Sequence, residues 1–90
     1  MTIVEQYLII TFESTNFAMQ AEAFFKASGK MLQIVPTPRE ITLSCGLSIK
    51  TTIDNLEWIN KSINSLKMKN KAIYRCTGSG RERIIEKISG

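Results

Sequence analysis

Among the residues that could do covalent chemistry, Cys45 has the most suggestive surroundings. It lies near the end of the stretch Pro36-Thr37-Pro38-Arg39-Glu40-Ile41-Thr42-Leu43-Ser44-Cys45-Gly46. Two prolines fix φ near −65° and push their predecessors out of the helical region, so the stretch opens as an extended, stiff loop. Gly46 supplies backbone freedom at its end. A Ser44-Cys45-Gly46 step can turn its N–H groups towards one point, an arrangement that suits an anion or a thiolate. Arg39 adds a fixed positive charge nearby. The competing reading is a buried cysteine that follows a proline turn.

The rest of the composition narrows the chemistry. The chain of 90 residues contains no histidine, which excludes Ser-His and Cys-His catalysis and removes the commonest zinc ligand. The second cysteine, Cys76, is too distant in sequence for a Cys-x-x-Cys pair. Neither a metal nor a cofactor is expected. Two cysteines without a secretory leader point to a cytoplasmic protein with reduced thiols. The longest apolar run, Tyr7-Leu8-Ile9-Ile10, is too short to span a bilayer, so no membrane partner is expected. A net charge of +4 collects late in the chain, at Lys67, Lys69, Lys71, Arg75, Arg81 and Arg83. It reads as a solvated face ahead of a nucleic-acid site, because no aromatic-basic motif accompanies it.

The elements that must position Cys45 follow from pattern. Residues 5–12 are β-branched and aromatic, and they read as a central strand covered on both faces. Glu13-Ser14-Thr15-Asn16 offers three N-cap residues in succession. Phe17, Ala18, Ala21, Phe24 and Phe25 then repeat at helical spacing, and Gly29 suits the left-handed position that ends the helix. Residues 31–35 and 47–51 read as the second and third strands, joined by the Cys45 loop. Thr52 is expected to cap a second helix with the stripe Leu56, Ile59, Ile63 and Leu66, closed by Asn70. Residues 72–76 read as the last strand.

The order βαββαβ predicts an α+β, ferredoxin-like split βαβ sandwich, an antiparallel sheet with both helices on one face. Its single domain covers 1–76. Thr77-Gly78-Ser79-Gly80 reads as a hinge, and the remainder of 77–90 as a mobile tail or a short docking helix. In this topology the first two strands run parallel, so the Glu13–Asn16 turn and the Cys45 loop share one end of the sheet. Lys67, Lys69 and Lys71 are expected at the same rim, and Cys76 at the opposite end.

Three stretches together resemble a known family. Residues 7–15 (Tyr-Leu-Ile-Ile-Thr-Phe-Glu-Ser-Thr), 34–41 (Ile-Val-Pro-Thr-Pro-Arg-Glu-Ile) and 44–47 (Ser-Cys-Gly-Leu) are similar to the selenium/sulfur (Se/S) carrier-like family of small bacterial proteins. The resemblance covers about residues 6–76. It implies a carrier that holds a persulfide or perselenide on the cysteine of Ser-x-Cys-Gly, which maps to Cys45. Members often place a histidine after Glu-Ser-Thr; this chain has Asn16, so any proton transfer by that histidine does not carry over.

Read as a carrier, the chain is a stoichiometric participant more than a catalyst. It would take its cargo from a sulfur- or selenium-donor protein such as a cysteine desulfurase and pass it to an acceptor. Arg39, Ser44, Gly46, Ser14 and Thr15 are then the candidate stabilisers of the bound anion. Each also has a plain structural role open to it: Arg39 in an ion pair, Ser14 or Thr15 as a helix cap, Ser44 in a turn. The alternative is a small ligand-binding or regulatory module with a structural cysteine, paired through a sheet edge as a homodimer.

Overall fold

The apolar run near the start of the chain becomes the strand on which everything else is built. A computed structural model describes residues 6–39, 41, 46–65, 72–78 and 83–89. Among these residues the order is β1 (Gln6–Thr11), α1 (Thr15–Ala27), β2 (Gln33–Pro36), β3 (Leu47–Thr52), a 3-10 turn (Ile53–Asn55), α2 (Leu56–Asn64), β4 (Ala72–Thr77) and β5 (Ile84–Ser89). The architecture is α+β. The five strands form one antiparallel sheet in the order β2-β3-β1-β4-β5.

Strand β1 pairs with β3 on one side and β4 on the other. Its residues Leu8 and Ile10, with Phe12 just beyond its end, are fully buried against Ala18, Ala21 and Phe25 of α1 and Ile59 of α2, together with Ile49 and Ile73 from the flanking strands. Because side chains alternate across a strand, Tyr7, Ile9 and Thr11 face the other side. Both β1 and β2 run antiparallel to β3, so they run parallel to each other, and their C-terminal ends lie at the same end of the sheet.

The two helices meet through aromatic rings. Trp58 stacks on Phe24 at 5.2 Å between centroids and meets Phe25 edge-on at 4.9 Å. Such pairs contribute about 0.5–1.5 kcal/mol beyond their buried area. Helix α1 ends in a Schellman motif. Gly29 adopts φ +72°, its N–H donates to Lys26 O, and Lys30 N–H donates to Phe25 O. The ammonium of Lys30 then rests 5.5 Å from the Trp58 ring centroid.

Three expectations change here. The segment expected as a tail or docking helix is instead strand β5, paired antiparallel with β4 through Thr77–Ile84, Cys76–Ile85, Arg75–Glu86 and Tyr74–Lys87. Ile84, Ile85 and Ile88 have helical spacing, but the open edge of β4 offers a row of backbone partners, and a register shift beside Ile73 and Tyr74 accommodates the irregular pattern. Gly78, at φ +86°, starts the connection between these strands, where a hinge was expected. Helix α2 stops at Asn64, short of Asn70, which with Leu66 lies outside the described residues; Thr52 ends β3 and takes the N-cap position of the 3-10 turn that leads into α2, though without a side-chain cap bond.

Replacing Phe25 by Ala should cost about 3–5 kcal/mol, since it empties a fully buried aromatic site. Gly29→Ala should cost about 1–2 kcal/mol through its left-handed backbone. Met19→Ala, at a 48% exposed position, should stay within about 0.5 kcal/mol. Urea unfolding followed by circular dichroism measures all three.

Candidate functional site

The loop that carries Cys45 leaves β2 at Pro36 and returns to β3 at Leu47, and these two residues are paired across the strands. Its neck is closed by two bonds. Thr37 N–H donates to Gly46 O at 3.3 Å, and the hydroxyls of Thr37 and Ser48 are hydrogen-bonded to each other. Inside the loop, Ile41 N–H donates to Pro38 O at 3.0 Å, which closes a turn around Arg39. Cys45 and Ser44 lie outside the described residues, as do Lys67, Lys69 and Lys71.

The register places this neck beside the start of α1. Ser48 is opposite Thr11, the last residue of β1, and Thr11 is also opposite Ala72 of β4, to whose carbonyl its hydroxyl donates at 3.3 Å. From Thr11 the chain passes through Phe12 and Glu13 to Ser14, the N-cap of α1. The Ser14 backbone is extended, at φ −145° and ψ 160°, and its Oγ accepts the Phe17 N–H at 3.3 Å. Of the three cap candidates, Ser14 therefore takes the position, while Thr15 opens the helix with an exposed side chain. The positive end of the α1 dipole thus lies at the same end of the sheet as the loop neck.

Arg39 and Gly46 are both exposed. The backbone freedom expected of Gly46 is not used: its φ is not positive, and a Cβ built there meets nothing within 4 Å. The second cysteine is far from this neck. Cys76 is buried in β4 opposite Tyr7 and Ile85, four residues beyond Ala72, so it lies about 13 Å along the sheet from the Thr11 row. Among the described residues no group of three or more His, Cys, Asp or Glu side chains could hold a metal, and no helix is long and apolar enough to cross a membrane.

The other end of the sheet holds a feature that sequence reasoning did not anticipate. A pocket of about 330 Å3 opens beside Tyr7 and Thr52, with Gln33, Lys50, Met31 and Leu32 in its wall. These residues come from three separated segments, so no local motif announces them.

A family model described as putative Se/S carrier protein-like matches residues 7–75, a span that includes the whole β2–β3 loop. No curated protein and no solved structure matches the chain.

Three substitutions at two positions separate support from chemistry at the neck. Ser14→Ala should lose about 1 kcal/mol of stability, and Ser14→Asp should keep it, because either a hydroxyl or a carboxylate can cap α1. Gly46→Ala should be neutral or stabilising by up to about 1 kcal/mol, since its backbone and surroundings accept a Cβ. Thermal unfolding of the three variants checks both expectations.

Proposed function

Because the chain belongs to the Se/S carrier protein-like family, we propose that it carries a sulfur or selenium atom on Cys45 as a persulfide or perselenide. The family match over residues 7–75 is the observation that carries this reading. The neck of the Cys45 loop, closed beside the N-terminus of α1, supports it.

Loading is a thiol-persulfide exchange. The Cys45 thiolate attacks the outer sulfur of a donor persulfide, a new S–S bond forms at Cys45, and the bond in the donor breaks to leave the donor thiolate. No net oxidation occurs. An acceptor thiolate then attacks the outer atom in the same way and regenerates the Cys45 thiolate. The selenium version replaces the outer atom alone. A low thiol pKa favours the first step because the thiolate is the nucleophile. The α1 dipole and the Arg39 charge act in that direction, and N–H groups at Gly46 with the hydroxyls of Ser44 and Thr15 would stabilise the outgoing anion. Ser14 contributes through the helix it caps. The donor is of the cysteine desulfurase class, and Lys67, Lys69 and Lys71 would dock its acidic surface. A reducing cytoplasm suits a carrier that works through a free thiol.

The same reading takes β1 to β4 and the two helices as a ferredoxin-like split βαβ sandwich to which β5 has been added. The order β2-β3-β1-β4 within the sheet supports this.

Incubation with a cysteine desulfurase and cysteine, followed by intact mass and peptide mapping, tests the proposal. One added sulfur on Cys45, removable by a thiol reductant, is expected in the wild type and in Cys76→Ser. Cys45→Ser should show none. An adduct that survives Cys45→Ser, or no adduct on the wild type, would overturn the carrier role.

A further inference from the structure

The pocket at the Tyr7 end of the sheet is remote from the loop neck, and nothing in the carrier reading uses it. Its floor is set by register. Gln33, Lys50, Ile9, Tyr74 and Lys87 form one row across all five strands, and Thr52, Tyr7, Cys76 and Ile85 form the row nearer the pocket end. This is the face of the sheet turned away from the helices. Neither row holds a carboxylate.

Lys50 is the charged residue in the pocket wall, and its ammonium sits 4.5 Å from the centroid of the Tyr7 ring. A ring face steadies a cation but leaves its charge uncancelled, so the field still attracts an anion. None of the described acidic side chains lines the pocket, and three of them are paired with other cations: Glu22 with Lys26, Glu57 with Lys61, and Glu86 with Arg75. The Tyr7 hydroxyl in turn accepts a long hydrogen bond of 3.4 Å from the Arg83 guanidinium, which brings a second cation to the Tyr7 side chain.

The opposite wall is apolar and held in place. Met31 is 76% exposed, although it is a large hydrophobic side chain, and Leu32 lies beside it. The Met31 carbonyl accepts the Thr51 hydroxyl at 2.6 Å, and Thr51 Oγ1 accepts from the Asn55 amide at 2.8 Å. The wall is therefore tied to the end of β3 before any ligand arrives, which lowers the ordering cost of binding. The Gln33 amide supplies a neutral donor in the same row as Lys50.

A volume of about 330 Å3 lies at the small end of the range for ligand sites. One cation, one amide and an apolar wall suit one negative charge and a short apolar body. We propose that this pocket binds a small organic monocarboxylate, with its carboxylate on Lys50 and its apolar body against Met31 and Leu32. The site is independent of Cys45, from which its chemistry does not borrow.

The test is an amide chemical-shift titration of the full chain with benzoate, phenylacetate and isovalerate, with benzyl alcohol as the uncharged control. At least one carboxylate should give saturable shifts centred on Tyr7, Gln33, Lys50 and Thr52. Benzyl alcohol should bind roughly tenfold more weakly, and Lys50→Met, which keeps the apolar stem, should weaken the carboxylate by a similar factor. Lys50→Arg should retain binding within about threefold, because it restores the charge. Met31→Glu, at an exposed position, should also abolish carboxylate binding by repulsion. No saturable shift with any of the three at millimolar concentration would overturn the proposal. So would shifts that are equal for benzyl alcohol or unaffected by Lys50→Met in a variant whose spectrum remains dispersed. Sulfur loading of Cys45 in Lys50→Met should match the wild type, which keeps failure here separate from failure of the carrier role.

Discussion

Strand β1 is paired along both edges and buried from Leu8 to Thr11, and this double constraint fixes the rest of the molecule. Its helix face can be covered only by an apolar layer, which Phe25, Ala18, Ala21 and Ile59 provide. Its edges are taken by β3 along Tyr7–Thr11 and by β4 along Gln6–Thr11, so the ladders on both sides occupy its backbone groups. A shift of one residue would move Leu8, Ile10 and Phe12 to the face away from the helices and bring Tyr7, Ile9 and Thr11 against the helices. Burial therefore sets the register, and the register in turn decides which residues share an end of the sheet.

Two ends with different character result. At one, the Thr37–Gly46 neck, Ser48, Thr11 and the Ser14 cap of α1 converge. At the other, Tyr7, Lys50 and the Met31 segment frame an open pocket. The buried thiol of Cys76 belongs to the second end and lies within the sheet. The packed sheet between them keeps the loop and the pocket apart. On the proposed carrier reading the loop is presented to a donor and an acceptor in turn, and the ladder from β2 through β3 to β1 would give it a rigid base.

Local patterns in the sequence were enough for much of this. Gly29 ends α1 as expected because a left-handed residue is demanded there by the helix itself. The cap could be narrowed to three neighbours, and only the extended backbone at Ser14 selected among them. The last strand was misread because its stabilisation comes from the edge of β4, a partner that the spacing of Ile84, Ile85 and Ile88 does not announce. Thr52 does take the N-cap position of the turn that leads into α2, but it also pairs with Tyr7 at the end of β3 and its hydroxyl makes no cap bond. Gly46 looked like a backbone requirement, and its geometry proves ordinary. The pocket was invisible in the sequence, since Tyr7, Met31 and Lys50 meet only through the fold.

The proposed carrier role requires the two cysteines to differ in kind, with Cys45 a reactive thiolate and Cys76 a packing residue inside the sheet. Alkylation of the native protein with iodoacetamide, quenched over time and mapped by peptide mass, measures that difference directly. A carrier role predicts rapid modification of Cys45 in the folded state and modification of Cys76 only after denaturant is added. Protection of Cys45 to the same degree as Cys76 would contradict it, because a thiol that no small electrophile can reach cannot attack a persulfide.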